Sequence, residues 1–245
     1  MSETDDPTFD EESTPIHFIY AEETNLSPSA LKALNLGAIL GLQNESPINL
    51  VATGLNVWEA KQALDKWWGI SDLESFRTTL AWLEKEGHRI YFSAARAIAN
   101  LPRERVPEGV QAALRGKSAT PELEEEITGF SNHIRDFLSV ASPEAIELMM
   151  STQDVTAWDI GRAINMIRWG CDANFFAEQV AVQMIERLGE KVYPRYGSWA
   201  EFGNAYLMGQ VMWGGVSERI NTSIDVLAVL NAAEGSPWVT IPWQN

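Results

Sequence analysis

An all-α fold follows from three features of this chain: a recurring helix-start signature, apolar residues spaced at three and four, and a near absence of strand-type alternation. Ser27-Pro28, Thr120-Pro121-Glu122 and Ser142-Pro143-Glu144 each set a capping hydroxyl before a proline, whose missing N–H costs nothing in a first helical turn. Ser71-Asp72-Leu73-Glu74 and Ser198-Trp199-Ala200-Glu201 read as capping boxes, in which hydroxyl and carboxylate satisfy each other's orphan amides. Thr156-Ala157-Trp158-Asp159 is a weaker sixth case.

The apolar stripes agree. Leu31, Leu34, Ala38 and Leu42 form one; Leu73, Phe76, Leu80 and Leu83 a second; Phe176, Val180, Met184 and Leu188 a third. Phe202, Tyr206, Gln210 and Trp213 share a face of the helix opened by Ser198, and Ile220, Ile224, Leu227 and Leu230 follow. Only His17-Phe18-Ile19-Tyr20 and Trp238-Val239-Thr240-Ile241 suit a strand. The expected architecture is an irregular multi-helix bundle of about 8–11 helices, with room for one short N-terminal strand.

Residues 1–15 read as an acidic, solvated tail and residues 16–245 as one helical domain. Residues 1–23 hold eight acids and no Lys or Arg, half of the net charge of −16. The stretches Asn100–Gly109 and Arg115–Pro121 read as loops that would hinge subdomains 16–115 and 120–245. A chain of 245 residues with 45% hydrophobic residues can bury a core without staples, and the single Cys171 excludes an internal disulfide framework. The acidic balance argues against nucleic acid as a partner, because phosphate contacts need clustered Lys and Arg. The longest uncharged stretch, Phe202–Ser217, is too short and too polar to span a bilayer, and the acidic N-terminus lacks a secretion signal. The expectation is a cytoplasmic protein with no membrane contact.

Chemistry-bearing patterns are few. No His-x-x-x-His or Glu-x-x-His pair, phosphate loop, dinucleotide fingerprint or Gly-x-Ser-x-Gly elbow occurs, so neither a metal nor a cofactor is expected. His88 follows Gly87 at a helix end, where a histidine suits the dipole and free carbonyls. Asp172 beside Cys171 would raise the thiol's pKa, so a reactive thiolate is not suggested. The unusual stretch is Trp158-Asp159-Ile160-Gly161-Arg162 through Gly170. On a helix Trp158, Arg162, Asn165 and Trp169 fall on one face, and Arg168 on the adjacent one. One reading buries Arg162 against an acid and stacks it on tryptophan. The other makes a pocket, with Arg162 for an anion and indoles for a flat group. The candidate binding residues are Trp158, Asp159, Arg162, Asn165, Arg168, His88 and Trp199. Asp159 is also explained as the first-turn acid of its own helix.

At these residues the chain resembles a known family. Trp68-Gly69-Ile70 with Trp82-Leu83 and Gly87-His88-Arg89, then Ala157-Trp158-Asp159-Ile160-Gly161-Arg162 with Arg168-Trp169-Gly170, resemble motif blocks of the bacterial domain-of-unknown-function 1266 family. Ser198-Trp199, Tyr206, Gly209 and Trp213 resemble a third block, and Ser236-Pro237-Trp238 with Pro242-Trp243 its ending. The similarity spans about residues 58–245. It implies a soluble bacterial protein with an α-rich domain, and it names no activity and no catalytic residue.

The leading functional expectation is a helical interaction module without catalysis, such as an acidic immunity-like or adaptor protein for a basic protein partner. The alternative is an enzyme acting on a small anionic or nucleotide-like ligand in a pocket of Trp158, Asp159, Arg162, Arg168 and His88. A third expectation makes residues 202–217 an oligomer interface, with Gly203, Gly209, Gly214 and Gly215 permitting close helix approach.

Overall fold

The computed structural model describes residues 16–116 and 119–244. The acidic tail 1–15 and two residues of the 115–121 loop lie outside the described residues. Helices α1 (Pro28–Leu34), α2 (Ala38–Gln43), α3 (Val57–Trp68), α4 (Leu73–Lys85), α5 (Phe92–Ala99) and α6 (Val106–Ala113) come first. They are followed by α7 (Pro121–Val140), α8 (Pro143–Ser151), α9 (Thr156–Asp172), α10 (Glu178–Val192), α11 (Trp199–Gly214), α12 (Glu218–Ala232) and α13 (Pro237–Thr240). Ten of them run eight residues or more, and there is no strand among the described residues. None of the helices is long and apolar enough to cross a membrane.

The start signals act as hydroxyl caps at Ser27, Thr120, Ser142 and Ser198, whose side chains accept from Ala30, Leu123, Ala145 and Glu201 amides. At α4 the cap is Asp72 rather than Ser71. The Asp72 carboxylate accepts from Ser75 N at 2.8 Å and Ser75 Oγ accepts from Asp72 N, so the box sits one residue further along, with Ser75 in the place expected for Glu74. Asn56 with Glu59 is a full capping box not expected from the sequence. Asn100–Gly109 is not a loop throughout: α6 starts at Val106 with Pro107 in its first turn, where no donor is missed.

Neither strand candidate pairs as a strand. His17–Tyr20 has no regular secondary structure and is held by one backbone bond, Ile48 N to Ile19 O at 3.0 Å, with the Asn49 amide clasping Ala21 N and O. Trp238–Thr240 lies in the α13 turn, which Ser236 Oγ and Pro237 nucleate.

One core runs from Ala33 to Trp243, and a smaller one joins Ile98, Val106, Val110, Leu114 and Ile127 where α6 lies against α5 and α7. Helix α9 is the axis of the main core. Every residue from Thr156 to Gly170 is buried, and α2, α3, α4, α10 and α11 surround it. Close approach needs small residues: a Cβ at Gly209 of α11 would stand 2.4 Å from the Trp158 Cβ, and one at Gly203 would stand 2.2 Å from Leu227. These two glycines of the uncharged stretch therefore serve packing inside the chain.

Candidate functional site

Four polar residues interrupt α9 at three-residue steps: Asp159, Arg162, Asn165 and Arg168. At 3.6 residues per turn, each step turns back by about 60°, so the four spiral around the helix and meet different neighbours. Sequence spacing groups them; three dimensions separate them.

Asp159 is wholly buried and receives four donors. His88 N donates at 3.2 Å, Arg89 N at 3.1 Å, Arg89 Nη1 at 3.0 Å and Arg162 Nη2 at 2.9 Å. Gly87 makes this geometry accessible, since it adopts φ +60° and any Cβ there would stand 2.0 Å from Asp159 Oδ2. Arg89 also donates to the Leu83 and Glu84 carbonyls, so Asp159 is tied to the C-terminal end of α4. Asp159 is thus the anchor of the 87–89 turn as well as an acid of its own first turn. Burial acts to raise its pKa, but the His88 hydrogen bond, the Arg162 charge and the Arg89 bonds outweigh it and hold the carboxyl below the usual range.

Arg162 turns the other way. Its Nη2 also bonds His88 Nδ1 at 2.9 Å and its Nε donates to Trp158 O at 3.3 Å. Because a guanidinium only donates, His88 Nδ1 accepts here, which places the ring proton on Nε2, toward Glu126 at 3.5 Å. The guanidinium carbon stands 4.2 Å from the Trp158 ring centroid, 5.3 Å from Trp68 and 5.9 Å from Trp213. Burial pushes the Arg162 pKa down, against the pull of Asp159. The ion pair and the indole stacking occur together, and Arg162 still lines a cleft.

That cleft encloses about 540 Å³, its open mouth included. Its walls are Trp67 and Trp68 at the end of α3, Trp158 and Trp169 of α9, and Tyr206 and Trp213 of α11, with Leu40 beside them. Its polar groups are Gln43, Asn44, Gln210, Arg162 and Arg219; no carboxylate lines it among the described residues. Arg219 lies 5.4 Å from the Trp67 ring centroid, at the mouth. Arg162 Nη1 has no hydrogen-bond partner among the described residues. Trp158 Nε1, Gln43 Oε1 and Gln210 Oε1 are buried and equally unpartnered.

Of the residues singled out from the sequence, Trp158 and Arg162 line the cleft, with Asp159 and His88 behind Arg162. The other three lie elsewhere. Asn165 Nδ2 donates to Gly37 O at 2.9 Å and seats α9 on the α1–α2 turn. Arg168 is buried and donates to Val51 O at 3.0 Å and Pro47 O at 2.6 Å, clamping the α2–α3 loop. Its burial lowers its pKa to about 10, against the Asp172 charge. Trp199 stacks on Trp238 and donates to Ile241 O at 2.7 Å. Gln43 and Arg219 carried no signal in the sequence. Gln210 did, as a lone amide on a face with Tyr206 and Trp213.

A family model described as "Protein of unknown function (DUF1266)" matches residues 63–243. The chain belongs to the DUF1266 family. The DUF1266 span takes in Trp67, Trp68, both arginines and the α9 and α11 walls, whereas Leu40, Gln43 and Asn44 come from outside it. No curated protein and no solved structure matches the chain.

Proposed function

We propose that the protein is a binding module without catalysis, and that its cleft takes a small planar anion. The observation that carries this reading is the polarity of the cleft: two arginines and no carboxylate line it among the described residues, inside a chain of net charge −16. Six aromatic side chains supply flat apolar walls, and Arg162 Nη1 and Trp158 Nε1 supply donors without partners of their own. Against catalysis stands the placement of the acid and the base. Asp159 is sealed with its lone pairs committed, and His88 does not line the cleft.

The test is calorimetric titration of the intact chain with benzoate. Saturable binding is expected, weakened about 3–10-fold by Arg219→Ala, the loss of one partly solvated charge contact. Absence of any binding heat would overturn the reading.

The wider reading of an interaction module for a basic protein is supported by the same net charge and by Glu122 and Glu125, exposed on the first turns of α7. It uses the surface rather than the cleft. A salt-sensitive complex recovered from native lysate is its expected outcome, and recovery of none at low and moderate salt counts against it.

A further inference from the structure

We propose that Gln43 and Gln210 read the ligand's ring, and that the ligand is an anionic N-heterocycle with ring N–H beside carbonyl groups, of the pyrimidine-lactam type. This rests on the cleft reading above and goes further by naming the ligand class.

The argument starts from unpaired groups. Five buried side-chain polar atoms lack a hydrogen-bond partner among the described residues, and three of them belong to Gln43, Trp158 and Gln210, which all line the cleft. Buried polar groups are nearly always paired, so three orphans on three helices around one cleft define what a bound group has to offer.

Their polarity is set by chemistry. An indole N–H only donates, so Trp158 Nε1 requires an acceptor. Gln43 Nε2 donates to Ser223 Oγ at 2.7 Å, and Ser223 Oγ in turn donates to Arg219 O at 3.0 Å. With the Ser223 proton given to Arg219 O, Gln43 donates its Nε2 to that hydroxyl and its Oε1 is an acceptor that requires a donor. Gln210 is 4% exposed, its side chain makes no hydrogen bond among the described residues, and its amide offers both an N–H donor group and a carbonyl acceptor. The complement therefore carries both N–H and C=O on a flat frame, with its negative charge toward Arg162 and Arg219. A bare aromatic acid satisfies the arginines and leaves Gln43 Oε1 unpaired. The Trp158 and Trp213 rings, 5.8 Å apart between centroids, stand closer than the about 7 Å that two plates need to admit a third, so the heterocycle stacks on one indole face.

Calorimetry on the intact chain with three probes tests this. Orotate has the carboxylate and ring N–H groups, benzoate the carboxylate alone, and uracil the N–H groups alone. Orotate is expected to bind at least tenfold more tightly than either, the cost of leaving a buried acceptor unmade. Gln43→Leu is expected to remove the preference for orotate over benzoate, and Gln210→Met to reduce it independently should the first variant fail to fold. Equal binding of orotate and benzoate by the unaltered protein would overturn the proposal and leave the cleft reading standing. Binding of none of the three would overturn both.

Discussion

Arg162 Nη2 lies 2.9 Å from Asp159 Oδ1, and this pair divides one helix into a sealed side and an open one. Asp159 faces the 87–89 turn and no solvent; Arg162 keeps its other nitrogen toward the cleft. A guanidinium held near an apolar wall needs a counter-ion, and Asp159, sealed from solvent, serves as that counter-ion. The carboxylate is thus a positioning group for the guanidinium.

Asp159→Asn is accordingly expected to act on stability. It removes a buried charge from two guanidiniums at once, Arg89 and Arg162, and breaking such a buried pair costs about 3–5 kcal/mol. Urea unfolding followed by far-ultraviolet circular dichroism reads this directly. A midpoint unchanged from the parent would contradict the anchoring role.

The same carboxylate shapes acid stability. Despite burial, the His88, Arg162 and Arg89 interactions hold its folded pKa below the usual range. A depressed carboxylate contributes stability that is present above its unfolded value of about 3.9 and is lost as pH falls through the folded value. Asp154, lowered by Thr156 and Arg195 against its burial, adds in the same sense. Asp172 opposes them: burial raises its pKa despite two bonds from Thr53, so its contribution is present at low pH and lost as pH rises. Unfolding midpoints measured from pH 7 down to pH 3 are expected to fall, and to fall less steeply in Asp159→Asn.

Glycines on α11 separate packing from propensity. Gly209→Ala would set a Cβ 2.4 Å from the Trp158 Cβ, a stiff neighbour, so α9 and α11 must part at a cost of about 1–3 kcal/mol. Gly214→Ala meets nothing within 4 Å and is expected to leave stability unchanged or raise it by up to about 1 kcal/mol, through helix propensity. Thermal unfolding of the two variants side by side reads the contrast.

Much of the helical order was legible because its signals are local. Ser27, Thr120, Ser142 and Ser198 cap within three residues of themselves, and tertiary packing leaves those bonds alone. The site was legible only in part. Trp158, Arg162 and Trp169 share a face at steps of four and seven, and periodicity alone puts them together. Asn165 and Arg168 follow the same helix but turn toward Gly37 and the 47–52 carbonyls, partners more than 100 residues away that no spacing reveals. Gln43 and Arg219 enter the cleft through the packing of α2 against α12, a long-range contact with no sequence signature.

Two tryptophans should therefore behave oppositely. Trp199 is 5% exposed, stacked on Trp238 at 5.1 Å and bonded to Ile241 O, and it does not line the cleft. Trp199→Phe removes that hydrogen bond and part of the stack, so a loss of about 1–3 kcal/mol in stability is expected, with benzoate affinity unchanged. Trp67 is 56% exposed, lines the mouth and lies beside Lys66 and Arg219. Trp67→Ala is expected to cost under about 1 kcal/mol of stability, as surface positions do, yet to weaken benzoate about 2–10-fold through the lost ring contact. Calorimetric affinity and urea midpoint, measured on both variants, separate the two roles. Loss of affinity in Trp199→Phe at full stability would move the binding surface away from the cleft and toward the indole cluster around Trp238.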